Sequence, residues 1–287
     1  MNDGLTIRRA LEGSGLVPLD AQVLLAHVTG RDRAWLAAHP GDGLPRTESE
    51  TFFALAKRRR EGEPIAYLTG IREFWGLPLA VSRAVLIPRP ETETLVELAL
   101  ARLPTDRDLA VLDLGTGSGA IALAIAHERP RARVVATDIS EEALAVARTN
   151  AQRLGISNVE YVRSDWYDGV AATRFDLIAA NPPYVEPEDP HLGAGDLRFE
   201  PHSALTPGGD GLGALRAIVG GASAFLVPGG TLVVEHGHNQ ADQVRALFAA
   251  AALIDIAGAR DLAGVPRVIA GFTKQGRSVG SHSTRGG

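Results

Sequence analysis

The sequence predicts an α/β protein in which a mostly parallel sheet is covered by helices on both faces. Short apolar runs alternate with helical patterns from about residue 109 to residue 251, and this alternation is typical of βαβ units. The runs are almost continuously apolar, as expected of strands buried on both faces. A mainly helical segment and a segment punctuated by Gly and Pro precede them, which predicts a small N-terminal helical domain joined by a β-hairpin.

Residues 1–64 are predicted to form the small helical domain. Asp20 is expected to cap a helix that ends at Gly30, because Asp favours the N-cap and Gly the position after the last turn. Thr47 and Glu50 resemble a capping box at the start of a further helix. The run Lys57–Arg60 falls in the last turn of that helix, where cations complement the helix dipole. It is interpreted as a solvated helix end, with contact to a partner's phosphates or acidic surface as the alternative.

Residues 65–87 are predicted to be the hairpin linker and residues 88–273 the large domain. The large domain opens with a helix after Ile87-Pro88-Arg89-Pro90, where Pro90 suits the first turn. The two prolines restrict the backbone at Arg89, whose side chain is therefore a candidate for contact with a ligand or substrate. The tail, residues 274–287, is rich in Ser, Gly and Arg and is expected to be disordered.

Strands and helices are expected to alternate through the large domain. The expected strands are Leu109–Leu114, Arg133–Thr137, Val159–Val162, Phe175–Ala180 and Thr231–Glu235, followed by Leu253–Ala257 and Arg267–Phe272 as an antiparallel pair. The expected helices are Gly119–His127, Glu141–Leu154, Leu212–Phe225 and Ala241–Ala251. Ligands of such sheets bind at the carboxyl ends of the strands.

Composition narrows the class of protein. Lys and Arg total 29 against 34 Asp and Glu, a formal charge of -5, which gives no support to a protein that coats nucleic acid, although a local basic patch stays possible. There is no cysteine, so disulfides, thiolate ligands and a cysteine nucleophile are excluded. The N-terminus lacks a signal-peptide pattern, and no run approaches the roughly 18 apolar residues of a membrane span. A cytoplasmic protein is expected.

A glycine-rich loop follows the first strand of the large domain. Gly115-Thr116-Gly117-Ser118-Gly119 leads directly into a helix, and its glycines allow a tight turn and a close approach of backbone to ligand. A dinucleotide fingerprint would place glycine at position 120, where this chain has Ala120. A nicotinamide dehydrogenase is therefore disfavoured.

Polar and aromatic residues follow the next two strands. Asp138 ends the second strand, where a carboxylate can accept hydrogen bonds from both hydroxyls of an adenosine ribose. Ser140 is better placed than Asp138 to cap the following helix. Asp165 and Trp166 follow the third strand, where an acid can bind the adenine amino group and an aromatic ring can pack on the base. Trp166 as a core residue is the alternative.

Asn181-Pro182-Pro183-Tyr184 follows the fourth strand. The two prolines remove two N–H donors and leave carbonyl acceptors, an arrangement that suits a planar NH2 group. A simple turn is the alternative for an Asn-Pro pair. Four consecutive strand ends thus carry glycines, an acid, an acid with an aromatic, and this tetrapeptide. This arrangement resembles the seven-stranded, Rossmann-like methyltransferases that use S-adenosylmethionine.

Wider motifs resemble one family within that class, the release factor glutamine N5-methyltransferases (the PrmC/HemK family). The stretches that carry the resemblance are Tyr67–Gly70, Glu73–Leu77, Val85–Glu93, Asp113–Ile121, Asn181–Tyr184, Phe199–Pro201, Ala204–Leu205, Gly209–Leu212, Gly229–Gly230, Glu235–Gly237 and Asp261–Gly264. The resemblance covers about residues 64 to 272.

The resemblance implies an enzyme that methylates the glutamine in the Gly-Gly-Gln loop of class 1 peptide chain release factors. It further implies a helical domain that contributes to partner binding, with no nucleic-acid substrate. The residues implied to bind S-adenosylmethionine are Gly115, Thr116, Gly117, Ser118, Gly119, Asp138, Asp165, Trp166 and Asn181. Asn181 and Pro182, with Pro183 and Tyr184, are implied to hold the glutamine amide, and Arg89 is a further candidate for substrate contact.

Three alternatives remain at this stage. A methyltransferase acting on a glutamine of a ribosomal protein would share the same site chemistry. A DNA adenine methyltransferase would need to flip its base and would be expected to carry a basic cleft. A non-catalytic adenosine-binding adaptor is disfavoured by the intact Asn181–Tyr184. For Glu235 and His236, support of the site and a plain structural role stay equally open.

Overall fold

The computed structural model describes residues 5–193 and 195–275. The predicted disordered tail therefore lies almost entirely outside the described residues.

From residue 5 onward, the N-terminal part of the chain folds into five helices before the hairpin. They are α1 (Ile7–Gly13), α2 (Pro18–Thr29), α3 (Arg33–Ala38), α4 (Arg46–Arg60) and α5 (Ile65–Thr69). Leu24, Leu25, Leu36 and Phe52 are almost fully buried between them. Gly30 ends α2 in the left-handed region with φ 65°, as predicted.

Both predicted side-chain caps in this region are wrong. The helix α2 begins at Pro18, so Asp20 lies inside its first turn. The helix α4 begins at Arg46 after Pro45, without a side-chain cap, and places Thr47 inside the helix. In each case a proline at the helix start fixes φ near the helical value, and it has no N–H that needs an acceptor.

The cationic run ends α4 as predicted, but three of its four side chains bind within the chain. Arg58 donates to Glu63 at 2.8 Å. Arg59 donates to Asp20 at 2.7 Å and to Asp196 at 3.0 Å, and Arg60 donates to the Ser14 carbonyl. The interpretation as a solvated helix end is therefore wrong for Arg59, which joins the helical domain to a loop of the large domain.

A two-stranded hairpin joins the two domains. Its strands are β1 (Ile71–Phe74) and β2 (Leu77–Ala80); the predicted linker thus begins with the helix α5. The turn residues Trp75 and Gly76 have φ of 54° and 70°, the sign that two-residue hairpin turns favour. Glu93 holds the unusual tryptophan by accepting from its backbone N–H at 3.0 Å.

The large domain is built on a seven-stranded sheet. Its strands are β3 (Ala110–Leu114), β4 (Arg133–Asp138), β5 (Val159–Arg163), β6 (Phe175–Ala180), β7 (Leu226–Glu235), β8 (Ile254–Arg260) and β9 (Pro266–Phe272). The spatial order is β5-β4-β3-β6-β7-β9-β8. The strand β9 pairs antiparallel with β7 and with β8, and the other neighbouring strands pair in parallel. The strand predictions, including the final antiparallel pair, are confirmed within a few residues, except that β7 starts five residues earlier than predicted.

Helices cover both faces of the sheet. They are α6 (Glu93–Leu100), α7 (Ala120–Glu128), α8 (Glu141–Leu154), α9 (His202–Leu205), α10 (Gly213–Phe225) and α11 (Ala241–Ala250), with 3-10 turns at Pro90–Thr92, Pro190–Gly193 and Leu197–Phe199. One apolar layer packs α6 and α7 on the sheet, and the other packs α10 and α11. Among the described residues, no helix is long and apolar enough to cross a membrane. The strand order reverses between β3 and β6, which is where such sheets bind ligands.

Candidate active site

A cavity of about 330 Å³ opens at the carboxyl ends of β3, β4, β5 and β6. Its volume lies in the range of small-molecule and cofactor sites, roughly 300–1,000 Å³. The predicted site residues that line it are Gly115, Thr116, Gly117, Ser118, Asp138, Asp165, Trp166, Asn181 and Pro183. The four strand ends singled out from the sequence thus meet at one cavity.

The glycine loop has the backbone conformation that requires glycine. Gly115, Gly117 and Gly119 have φ of 73°, 55° and 86°, in the region that L side chains rarely adopt. A Cβ on Gly117 would meet nothing within 4 Å, whereas one on Gly119 would lie 3.0 Å from the Leu123 Cδ1. Gly117 therefore leaves open space for a ligand, and Gly119 permits close packing at the start of α7.

Asp113, near the end of β3, holds the glycine loop in place by accepting buried hydrogen bonds. It is fully buried, and its Oδ2 accepts from the Thr116 hydroxyl at 2.6 Å and from the Ala122 N–H at 3.2 Å. Burial raises its pKa to about 7, while these two hydrogen bonds act in the opposite direction. The carboxyl thus holds both the loop and the first turn of α7.

Asp138 presents a carboxylate at the cavity wall. Its Oδ2 accepts from the Gly117 N–H and its Oδ1 from the Ser140 N–H, both at 2.9 Å. Burial raises its pKa, and these backbone bonds lower it. The Ser140 hydroxyl accepts from the Ala143 N–H at 3.2 Å and caps α8, as predicted. Each Asp138 oxygen keeps lone pairs for a further donor.

Trp166 lies beside the glycine loop and lines the cavity. It has φ 45°, and Ser164 fixes this turn by donating to the Trp166 carbonyl at 2.7 Å and accepting from the Gly169 N–H at 2.8 Å. An added Cβ on Gly115 would meet the indole at 3.6 Å. The ring therefore borders the cavity beside the loop, next to Asp165.

Asn181 begins the segment after β6. Its Nδ2 donates to the Thr92 hydroxyl at 3.1 Å, and Thr92 is itself buried and lines the cavity. Within the described residues no hydrogen bond to Asn181 Oδ1 is present. The amide is thus fixed at its nitrogen end, and its oxygen is available to a ligand.

Tyr184 turns away from the cavity toward β7. Its hydroxyl donates to Glu235 Oε1 at 3.0 Å, and Gln240 donates to its carbonyl at 3.0 Å. Burial, with the adjacent carboxylate, raises the pKa of Tyr184 above its ordinary range. Glu235 is buried at the end of β7, and burial raises its pKa to about 7.

His236 follows Glu235 and is fully buried. Its Nδ1 lies 2.8 Å from the Gly237 carbonyl, so this nitrogen carries the hydrogen and Nε2 is left without a partner among the described residues. Burial lowers the pKa of His236. The imidazole is therefore neutral and does not line the cavity.

Four predicted site residues do not line the cavity: Gly119, Pro182, Tyr184 and Arg89. Arg89 donates to Glu200, whose side chain is fully buried and also accepts from the Ile87 N–H at 3.0 Å. Its guanidinium thus has a partner within the chain. Contact of Arg89 with a substrate stays a prediction.

Sequence reasoning assigned no role to Thr92, Asn150 or Glu200. Asn150 is fully buried on α8 and joins the hairpin to the glycine loop. Its Nδ2 donates to the carbonyls of Ala80 and Ser118 at 2.9 Å, and its Oδ1 accepts from the Ala80 N–H at 2.6 Å. A lone polar residue on the apolar face of a predicted helix is the signal that could have revealed Asn150.

Comparison with known proteins agrees with this geometry. Residues 92–212 match the family model "Methyltransferase small domain", and residues 6–70 match "PrmC N-terminal domain". A methyltransferase of known structure from Pyrococcus furiosus shares the fold, with a TM-score of 0.52 and 19% identity over 76% of this chain and 97% of that one. The sheet order and the cavity at its carboxyl edge thus define a Rossmann-like methyltransferase of the seven-stranded class.

Curated relatives identify the family to which the chain belongs within this class of methyltransferases. The release factor glutamine methyltransferase of Xylella fastidiosa (strain 9a5c) is 53% identical, over 88% of this chain and 92% of the relative. That of Bordetella pertussis is 51% identical, over 93% of this chain and 98% of the relative. The chain belongs to the release factor glutamine methyltransferase family, which confirms the resemblance found in its motifs.

Proposed function

We propose that this chain transfers a methyl group from S-adenosylmethionine to N5 of the glutamine in the Gly-Gly-Gln loop of class 1 peptide chain release factors. The observation that carries the proposal is Asn181, whose amide is held at its nitrogen end beside a cavity lined by the glycine loop. The family membership and the names of the relatives support the glutamine of a release factor as acceptor.

The cavity residues fit the methyl donor. Gly117 offers open space for close approach, Asp138 retains lone pairs for the two ribose hydroxyls, and Trp166 offers a ring face to adenine. Asp165 adds an acceptor for the adenine amino group. S-adenosylmethionine, when bound, supplies a methyl group on a sulfonium, which is already an activated electrophile.

The protein then has to orient a poor nucleophile. The lone pair of an amide nitrogen is conjugated with the carbonyl, so the nitrogen attacks weakly. If Asn181 Oδ1 and the Pro182 carbonyl each accept one N–H, the NH2 group is held and its lone pair is directed at the methyl group. Such orientation is a large source of rate enhancement. Loss of one aligned hydrogen-bond partner costs on the order of 10²–10³ in rate at comparable sites.

No strong general base is needed on this route. The nitrogen becomes cationic and acidic on methylation and loses its proton readily. Pro183 lines the cavity, and Tyr184 fixes the path of the segment through Glu235 and Gln240. The tetrapeptide therefore acts as a rigid frame for the amide.

The helical domain is proposed to add affinity for the release factor, since a flexible loop alone gives little affinity. Arg59 ties this domain to Asp196, in the loop that follows the tetrapeptide. Arg198 of the same loop donates to the Glu61 carbonyl at the end of α4. A partner bound to the helical domain would thus meet the segment that leads out of the site.

The test uses purified protein with radiolabelled S-adenosylmethionine and three acceptors: a class 1 release factor, a ribosomal protein fraction and DNA. Label is expected in the release factor and is expected to disappear when the glutamine of its Gly-Gly-Gln loop is replaced by alanine. Labelling of ribosomal protein or DNA, with none in the release factor, would refute the proposal.

The role of Asn181 is tested separately. Asn181→Ala is expected to bind the cofactor with at most a modest loss and to lower kcat by roughly 10²–10³-fold. Asn239→Ala, at an exposed asparagine beyond β7, is the matched control with unchanged turnover. Near-normal turnover of Asn181→Ala would contradict the orienting role.

A further inference from the structure

The turn that joins β8 to β9 presents one leucine entirely to solvent. The relative exposure of Leu262 is 108%, whereas the next most exposed large apolar side chain among the described residues, Val17, is 62% exposed. Ala263 and Gly264, which follow it, are also exposed and uncharged. A single exposed leucine is common on protein surfaces, so exposure alone indicates no function. What distinguishes Leu262 is the rigidity of its turn and the place of that turn on the sheet.

Asp261 makes this turn rigid. Its Oδ1 accepts from the N–H groups of Ala263 and Val265, both at 2.9 Å. Its backbone N–H donates to the Val265 carbonyl, and its carbonyl accepts from the Gly264 N–H, again at 2.9 Å. These bonds fix the backbone on both sides of Leu262. A partner that covers this leucine would therefore not have to order the loop that carries it, and a preordered contact binds more tightly.

The turn lies at the same edge of the sheet as the cavity. The strand β9 runs antiparallel to β7 and pairs Val268 with Glu235, so the residues before Val268 extend beyond the carboxyl end of β7. The strand β7 pairs in parallel with β6, which leads into Asn181. Neighbouring strands lie about 4.8 Å apart, so roughly 10 Å separates β9 from the strand that leads into Asn181. A protein that inserts a loop at Asn181 would thus lie over this turn.

Arg267 joins the turn to the end of β7. Its Nε donates to Asp261 Oδ2 at 2.9 Å, and its carbonyl accepts from the His236 N–H at 2.9 Å. Glu235, directly before His236, accepts from the Tyr184 hydroxyl at 3.0 Å. The turn and the tetrapeptide thus bind neighbouring residues at one strand end, which fixes the position of the exposed leucine relative to the site.

We propose that Leu262 is a contact residue for the release factor and inserts into an apolar recess of that protein near its Gly-Gly-Gln loop. This inference rests on the proposed function, because it takes the release factor as the partner. The position of the turn favours this partner, since the loop has to reach Asn181 at the edge of the sheet where Leu262 stands.

The contact is expected to act on binding and not on the chemical step. Leu262 does not line the cavity, so it does not touch the cofactor or the reacting amide. An interaction that is equally strong before and during methyl transfer changes KM and leaves kcat unaltered. A short peptide that carries only the Gly-Gly-Gln sequence would reach the cavity without covering the turn, and its methylation would not depend on Leu262.

The experiment measures kcat and KM for an intact class 1 release factor, cofactor affinity, and kcat/KM for such a peptide. Full burial of a leucine is worth roughly 10–100-fold in affinity. Leu262→Ala is expected to raise KM for the release factor roughly tenfold and to leave the other three quantities within about twofold. Leu262→Asp is expected to raise KM further. Leu262→Met, which keeps an apolar side chain of similar volume, is expected to stay within about threefold of the wild type.

Ile254→Ala is the matched control on the same hairpin. Ile254 begins β8 and is 37% exposed. It pairs with Phe272, which pairs with Thr231, and it therefore lies at the opposite edge of the sheet from the turn. Its substitution is expected to leave KM for the release factor unchanged. Because Leu262 is fully exposed, its variants are expected to keep the Tm of the wild type.

An unchanged KM in Leu262→Ala, or an equal loss of kcat/KM with the peptide, would overturn the inference while the wild type still methylates the release factor. A wild type that sediments as a dimer, and that Leu262→Ala converts to a monomer, would assign the leucine to a second copy of the chain and would also overturn it. If the peptide is not turned over, kcat and KM with the intact release factor decide alone. A wild type that labels no release factor would overturn the proposed function, and this inference with it.

Discussion

Asn150 offers a sharp test of how the glycine loop is held. Its side chain makes three hydrogen bonds, two to Ala80 and one to the Ser118 carbonyl, and it is fully buried. Asn150→Ala leaves one N–H and two carbonyls without this partner. At about 1 kcal/mol for each buried group, the low end of the usual range, the loss is about 3 kcal/mol. For a chain of 287 residues, whose unfolding entropy is about 0.6 kcal/mol/K, that corresponds to a fall in Tm of about 5 °C.

The assay is thermal unfolding with and without S-adenosylmethionine. Asn150→Asp serves as a second variant, since it keeps the shape but turns a carboxylate oxygen toward two carbonyls, and it is expected to be at least as unstable. Asn239→Ala, at an exposed site, is expected to change Tm little. Because Ser118 lines the cavity, Asn150→Ala is also expected to bind the cofactor less tightly. A fall in Tm no larger than that of the control would refute the reasoning.

Three further predictions concern the cavity and the domain joint. Asp138→Ala is expected to weaken S-adenosylmethionine binding by roughly 10–100-fold in calorimetry, because two hydrogen bonds of about 1 kcal/mol each are lost; unchanged affinity would contradict the ribose role. Gly119→Ala is expected to lower the free energy of unfolding by roughly 1–3 kcal/mol, because φ is 86° and the added Cβ would lie 3.0 Å from Leu123. Gly41→Ala is the control, since its Cβ would meet open space and its φ lies outside the left-handed region, and it is expected to leave the free energy of unfolding nearly unchanged. The Arg58 and Arg83 guanidiniums hold the pKa of Glu63 at about 2 against an ordinary 4.5. The ionised Glu63 therefore stabilises the fold above pH 4.5, and this contribution is lost as the pH falls toward 2. When Tm is measured against pH, the decrease between pH 4.5 and pH 2 is expected to be smaller in Glu63→Gln than in the wild type.

Sequence patterns were sufficient to predict the elements whose signals lie within a few neighbouring residues. The strands β3 to β6 and the helix α8 follow from apolar runs, turn residues and a serine cap, and the left-handed glycines follow from the strand-to-helix turn. The two failed caps also have a local cause. Asp20 and Thr47 match cap chemistry, but α2 starts at Pro18 and α4 starts directly after Pro45.

The contacts that fix the geometry of the site join residues that are far apart in the chain. Asn150 and Ala80 are separated by 70 residues, Thr92 and Asn181 by 89, and Glu200 and Ile87 by 113. No periodicity relates such pairs, because which backbone group a buried side chain meets is decided only when the sheet and the hairpin assemble. The strand ends could therefore be placed from the sequence, whereas the residues that fix their geometry could not.

These long-range contacts have a common physical basis. A polar side chain buried without partners is costly, so Asp113, Asn150 and Glu200 are stable in the interior only because backbone groups of particular loops meet them. The same hydrogen bonds prevent those loops from moving away, since any displacement leaves a buried group unpaired. Asp113 and Asn150 hold the glycine loop in this way, and Glu200 holds the backbone at Ile87. The site geometry is thus set before a ligand arrives, and binding energy can be used for orientation of the substrate rather than for ordering of the loops.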